Sequence, residues 1–233
     1  MRFCDATGRL IRKFMKSPRK IAAVGTTLWM AATAHSQAQS ADKLYLNVNA
    51  GPAITQDASI QNSPFGNTGN IRFDTGLRAD LGLGYEVTPS FAAELETGVI
   101  WNGVHSIQNN NLSSLNASAD LYQIPVLADV IYKPLHGSFQ PYVGAGFGGV
   151  AGLFDSSNVP LFAPPGSSYS ATDWTFAYQF EAGFKYAVSE KIELGLAYKF
   201  LATSNHDWTD SGVTLKTDGT MTHAILATFT WRF

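Results

Sequence analysis

Thr222-His223-Ala224-Ile225-Leu226-Ala227-Thr228-Phe229-Thr230-Trp231-Arg232-Phe233 is the stretch that decides the fold. Successive side chains of an extended strand point to opposite faces. His223, Ile225, Ala227, Phe229, Trp231 and Phe233 therefore share one face, and Thr222, Ala224, Leu226, Thr228, Thr230 and Arg232 the other. Such a strand cannot stand alone. Its apolar face needs a core or lipid, and its backbone needs partners on both edges.

Seven earlier segments share the habit. They begin with Leu44 to Gly51, Phe73 to Val87 and Ala93 to Asn102, and continue with Tyr122 to Lys133 and Tyr142 to Gly148. The remaining two are Trp174 to Tyr186, where Trp174, Phe176, Tyr178, Phe180, Phe184 and Tyr186 alternate with polar or small residues, and Ile192 to Phe200. A period of two over this many segments predicts strands, because an amphipathic helix repeats near 3.6. Long polar links at 55–71, 105–118, 155–172 and 205–217 alternate strictly with short ones at 88–90, 136–137 and 189–191. That alternation predicts an all-β fold, an eight-stranded antiparallel up-and-down transmembrane β-barrel with long loops at one end and short turns at the other.

Polarity assigns the faces. Tyr85, Trp101, Tyr132, Trp174, Tyr186, Tyr198 and Trp231 sit near the ends of the apolar faces, as in two interfacial aromatic girdles. A soluble ligand-carrying barrel would be the reverse, apolar within and polar without. The face predicted to line the interior carries Asp74, Asp80, Glu86, Glu94, Glu96, Asp129, Glu181 and Glu193 against Arg78, Lys133, Lys185, Lys199 and Arg232. Side chains can fill an eight-stranded interior, so a salt-bridged, packed core is expected. The acid excess leaves a narrow conduit for small ions as the alternative, along with passage of apolar solutes.

The amino end reads as a leader. Seven basic residues and Asp5 precede an apolar run from Ile21 to Ala34, and the small-x-Ala site Ser36-Gln37-Ala38 predicts a signal peptide over 1–38 and a barrel domain over 39–233. Met15 offers an alternative start. Removal of 1–38 leaves nine basic against 17 acidic residues, a net charge of about −8 in place of −2. Without a basic cluster to meet phosphates, nucleic acid is not expected as a partner. Cys4, the one cysteine, leaves with the leader, so thiol chemistry, disulfides and Cys-ligated metal are excluded from the rest.

Tyr178-Gln-Phe-Glu-Ala-Gly-Phe-Lys-Tyr-Ala-Val-Ser-Glu-Lys-Ile-Glu-Leu-Gly-Leu-Ala-Tyr-Lys-Phe200 and Gln140-Pro-Tyr-Val-Gly-Ala-Gly-Phe-Gly148 resemble strands of the opacity-protein and OmpA/OmpX-like outer-membrane barrel family. The end of the chain is also similar to the terminal strand of such barrels, whose last aromatic residues belong to a signal read by the barrel-insertion machinery. The resemblance implies that Phe229, Trp231 and Phe233 form this signal and that the protein lies in the cell outer membrane. It also implies a monomer surrounded by membrane lipid and lipopolysaccharide, acting as an adhesin, a surface antigen or a structural protein. The chain ends with the barrel and lacks the peptidoglycan-binding domain of full OmpA proteins, so wall tethering is not expected.

Other constellations carry less. Gly144-x-Gly146-x-x-Gly149 matches a dinucleotide fingerprint formally, but no helix follows to hold a pyrophosphate, and no cofactor is expected. His105-Ser106 and Ser204-Asn205-His206-Asp207 place hydroxyl beside imidazole, as lipid A-modifying enzymes of similar size require. Both lie in polar links where these residues are common for turn reasons, so no catalytic residue is assigned. His206, Asp207 and Asp210 are too few for a convincing divalent-cation site, and no metal is expected. Loops on a rigid scaffold are the usual seat of function. Leu161, Phe162 and Tyr169, among the prolines of the 155–172 link, are the candidates for contact with an extracellular ligand or host surface.

Overall fold

The alternating segments are strands in the computed structural model, which describes residues 43–62, 69–109, 112–115, 118–157, 168–210 and 213–233. In chain order these are β1 (Leu44–Thr55), β2 (Ala58–Asn62), β3 (Gly69–Phe73), β4 (Gly76–Glu86), β5 (Phe91–Asn109), β6 (Leu112–Leu115) and β7 (Ser118–Tyr132). They continue as β8 (Phe139–Ser157), β9 (Ser168–Ala187), β10 (Ile192–Thr203), β11 (His206–Asp210), β12 (Val213–Thr217) and β13 (Met221–Arg232). The leader read over 1–38 lies outside the described residues.

Eight strands close a ring in which every pairing is antiparallel: β1-β4-β5-β7-β8-β9-β10-β13 and back to β1. The closing ladder sets Val48 opposite Phe229 and Ala50 opposite Ala227. Closure leaves this ring no free edge. Three short turns lie at one end. In one of them Ser189 Oγ accepts the Lys191 and Ile192 N–H groups, and in another Gly137 supplies a φ of 147° that other residues avoid.

Alternation decides the two surfaces. Leu77, Leu95, Phe180 and Ile225 point outward and are 59%, 59%, 55% and 62% exposed, while their neighbours Arg78, Glu94, Glu96, Gln179, Glu181 and Leu226 are buried inside. Glycines stand beside the larger inner side chains: a Cβ on Gly82 would collide with Glu94, on Gly84 with Tyr45, and on Gly146 with Asp129. The Gly144-x-Gly146-x-x-Gly149 run lies within β8, which continues as strand to Ser157.

The long links differ from the sequence expectation. β8 and β9 run for 19 and 20 residues, where a strand needs only about 9–11 to cross the hydrocarbon of a bilayer. The 55–71 link contains β2 and the first residues of β3, and the 205–217 link contains β11 and β12. These short strands extend the sheet beyond the ring: β3 joins β5, β2 joins β3 and β12, and β12 joins β11. Within this extension Ile60, Ile71, Val104, Ala119, Leu121, Phe154, Ala171 and Trp208 form a buried apolar cluster, with Phe73 packed against it.

Candidate functional site

Moving inward from the short-turn end, the interior is filled in layers. Glu86 on β4 binds both Lys133, just after β7, and Arg232 on β13, the latter through Nη1 at 2.7 Å. Arg232 also reaches Glu193 on β10, which accepts a bond from Gln140 on β8. Above this ring Lys185 Nζ lies 5.2 and 5.4 Å from the ring centres of Tyr45 and Tyr142. Cation–π contact suits an ammonium withdrawn from water. The enclosed space among these side chains is about 10 Å³, room for about one water.

The central layer is a single hydrogen-bonded network. Arg78 donates from Nε to both oxygens of Asp80 (2.9 and 2.8 Å) and from Nη2 to Glu96 (2.9 Å) and Gln179 (2.6 Å). Lys199 pairs with Glu96 and stands 3.5 Å from both Asp80 and Glu181. Gln179 Nε2 ties Glu96 to Asp129, at 3.2 Å each. In the adjoining polar layer Asn47 donates to Glu94 and accepts from Thr230, which links β1, β5 and β13. Arg78 and Lys199 are 1% and 0% exposed. A second layer follows, of Ala53, Ile100, Leu127, Val150, Ala177, Leu201, Ala224 and Leu226. Two successive layers thus occlude the lumen, one charged and one apolar.

Of the charged residues expected inside, Arg78, Asp80, Glu96, Asp129, Glu181 and Lys199 converge in this network, and Glu94, Lys185 and Glu193 lie in the adjoining polar layers. Asp74 does not join them. Its side chain is 59% exposed and pairs with His105 at 3.2 Å. The cause is a change of phase: Ile71 and Phe73 of β3 turn to the inner apolar cluster, whereas Leu77 of β4 turns out, and Asp74 and Thr75 lie in the break between. Asn47, Gln179, Tyr45 and Tyr142 are the partners that charge counting overlooks. Their signal was position on the inward face, not charge.

Beyond the apolar layer the strands reach the extension. Thr55 donates to Asn102 and touches Thr222, and Thr220 donates to Gln123. His206 of β11 is buried, with Nδ1 3.2 Å from Asp173 Oδ2 on β9 and Nε2 3.1 Å from the Thr203 hydroxyl. A carboxylate only accepts, so Nδ1 carries the proton and Nε2 accepts from Thr203. Burial holds the His206 pKa below the ordinary imidazole value, and the Asp173 carboxylate offsets part of that shift. The imidazole stacks on Trp208, with centroids 4.7 Å apart and planes 17° apart.

The hydroxyl–imidazole neighbours read in the sequence are separated by this alternation. His105 faces out and Ser106 in; Ser204 is exposed while His206 is buried. His206 and Asp207 likewise face opposite ways, Asp207 pairing with Lys216 on the outside. Among the described residues no group of three His, Cys, Asp or Glu side chains is placed to hold a metal ion. Phe229, Trp231 and Phe233 all point outward, with the Trp231 and Phe233 rings 4.9 Å apart. Leu161 and Phe162 lie outside the described residues, and Tyr169 stands at the start of β9.

The outer membrane protein beta-barrel domain model matches residues 24–233. No curated protein matches the chain in sequence. Among solved structures, Neisserial surface protein A is 16% identical, with 82% of this chain aligned to 97% of that one at a TM-score of 0.51. OprG from Pseudomonas aeruginosa is 17% identical, with 84% and 100% aligned at a TM-score of 0.49. Ail, the attachment invasion locus protein of Yersinia pestis, is 14% identical, with 81% and 99% aligned at a TM-score of 0.43.

Proposed function

The chain belongs to the outer membrane protein beta-barrel domain family and is a transmembrane β-barrel of the outer membrane, and from that premise we propose that it is a surface interaction protein acting through its extracellular end. The observation that carries this reading is the overshoot of the sheet. β8 and β9 continue well past the length a bilayer requires and join β2, β3, β11 and β12 around a separate apolar core. A chain whose task ended at the membrane needs no such pedestal. The filled interior weighs against a solute conduit, because Arg78, Lys199, Ile100 and Leu226 close it at successive levels.

The proposed contact region is the tip between β8 and β9, with Leu161, Phe162 and Tyr169 as the apolar groups that meet a partner surface. Phe229, Trp231 and Phe233 are the proposed signal to the barrel-insertion machinery, and lipopolysaccharide is the proposed neighbour of the outer half. Ser157 and Ser168 are paired across the β8–β9 ladder, so a short turn can replace 158–167 without disturbing either strand. Cells displaying this variant are expected to keep a heat-modifiable barrel and lose attachment to a second cell surface. Planar bilayers holding the intact chain are expected to stay silent. Steady cation-selective current, abolished by Glu94→Gln with Glu96→Gln, would replace this reading with the channel.

A further inference from the structure

β9 and β11 lie side by side in the extension, yet no ladder pair joins them among the described residues. Side chains hold the seam instead. Asp173 Oδ2 on β9 accepts from the His206 imidazole and from the Asp207 N–H, both at 3.2 Å. One backbone bond, Ser204 N–H to Phe176 C=O at 2.8 Å, lies just below. On its far side, among the described residues, β12 meets β2 through two irregular pairs, Lys216 with Asn62 and Thr217 with Ile60, and the Asp218 N–H donates to the Ser59 C=O at 3.0 Å just beyond them. Behind the seam Trp208 is seated against Gly152 and Phe154, closing the apolar core of the extension.

We propose that the Asp173–His206 pair is an acid-released clasp: protonation of His206 frees the β11–β12 hairpin from β9 and lifts Trp208 from its seat. The neutral imidazole satisfies both ring nitrogens, donating to Asp173 and accepting from Thr203. Protonation turns Nε2 into a donor, so the Thr203 hydroxyl loses its bond to the ring and must turn its hydrogen toward Thr220 Oγ1 at 3.1 Å while accepting both Nε2–H and the Thr220 N–H. It also places a charge on a side chain that is 1% exposed. Water is the better host for that charge, and release of the hairpin supplies it. Asp173 is the titratable group that meets His206. The other neighbours are Thr203 on β10, Gly152 on β8 and Trp208 on β11, while Asp207 and Lys216 pair on the outer face of the hairpin.

The closed clasp favours the neutral ring, so the open state binds the extra proton. Closure is therefore complete above the ordinary imidazole pKa, about 6.5, and weakens as pH falls below it. This device holds or fails whatever the extension contacts, so its test is separate from that of surface attachment.

The test uses the full chain in lipid nanodiscs. Acrylamide quenching of Trp208, taken as the difference from a Trp208→Phe sample, is followed from pH 8 to pH 5. Quenching is expected to rise several-fold on acidification in the unaltered protein and to be independent of pH in His206→Gln. Asp173→Asn keeps both acceptor contacts but removes the charge that favours the imidazolium in the closed state, so acid opens the clasp more readily and its transition is expected at higher pH. Quenching that does not change with pH, the same transition in His206→Gln, or an unshifted midpoint in Asp173→Asn would each overturn the proposal.

Discussion

The membrane-spanning half and the extension are one sheet with inside and outside exchanged. In the spanning half Leu77, Leu81, Leu95 and Ile225 face out while Arg78, Asp80, Glu96 and Lys199 face in. In the extension Ser59, Asn70, Arg72 and Lys216 face out, and Ile60, Ile71, Leu121, Phe154 and Trp208 face in. The backbone geometry is the same in both. The medium outside differs, and it dictates what the interior must be: against lipid the polar groups are driven inward and must satisfy one another, whereas against water the apolar groups are.

The sharpest way to break this comparison is to remove a cation from the spanning interior. Lys199→Met leaves Glu96, Asp80 and Glu181 with an unbalanced buried charge, and loss of one partner from such a cluster costs about 3–5 kcal/mol. The expected result is a barrel whose heat-resistant form is lost at markedly lower urea concentration. Adding Glu96→Gln should recover part of the loss, a coupling that a double-mutant cycle reads directly.

The matching change in the extension is Trp208→Ala. Truncating a buried aromatic side chain costs about 3 kcal/mol or more, but here the loss should stay local. Protease cleavage between β11 and β12 should increase while the gel mobility of the folded barrel is unchanged. Global unfolding by this substitution would show that the two halves share one cooperative core.

Outer faces give the next test. A lysine on the lipid face near the bilayer midplane costs about 2–4 kcal/mol, so Leu81→Lys should impair insertion and stability. Asn70→Lys, on the outer face of the extension, should fall within about 0.5 kcal/mol of the parent.

The exchange of faces also explains what could be read in advance. The spanning strands were legible because their apolar and polar positions alternate over many residues, as in Trp174 to Tyr186. β5 was legible only as far as Asn102. Its inward positions run Glu94, Glu96, Ile100, Asn102, Val104, so the apolar residues move from odd to even positions without any break in the strand. Read as hydropathy, that change looks like the end of a strand, and the polar residues beyond it have the composition of a loop. Asp74 fails for the opposite reason: there the chain does break phase, between β3 and β4, while the alternation of residue types continues across the break. His206 gave no signal because Ser204-Asn205-His206-Asp207 has the composition of a turn, and only the pairing of β11 with β12 turns the imidazole inward.

The smallest expected effect isolates solvent from sequence. Arg72 and Asp57 form an ion pair at 3.5 Å on the outside of the extension, with both side chains 53% exposed. The Arg78–Glu96 pair is closer, at 2.9 Å, and buried. An exposed pair is worth about 0.2–1 kcal/mol and is weakened by salt, since the screening length at physiological ionic strength is about 8 Å. Arg72→Ala should therefore alter protease resistance of the extension slightly at low salt and not at all in 0.5 M sodium chloride, on the order of a fraction of a kcal/mol. The Lys199→Met loss should be nearly the same at both salt concentrations, because its charges are out of reach of the ions. If instead both substitutions responded alike to salt, water would have to reach the central network, and the spanning half would no longer be the dry counterpart of the extension.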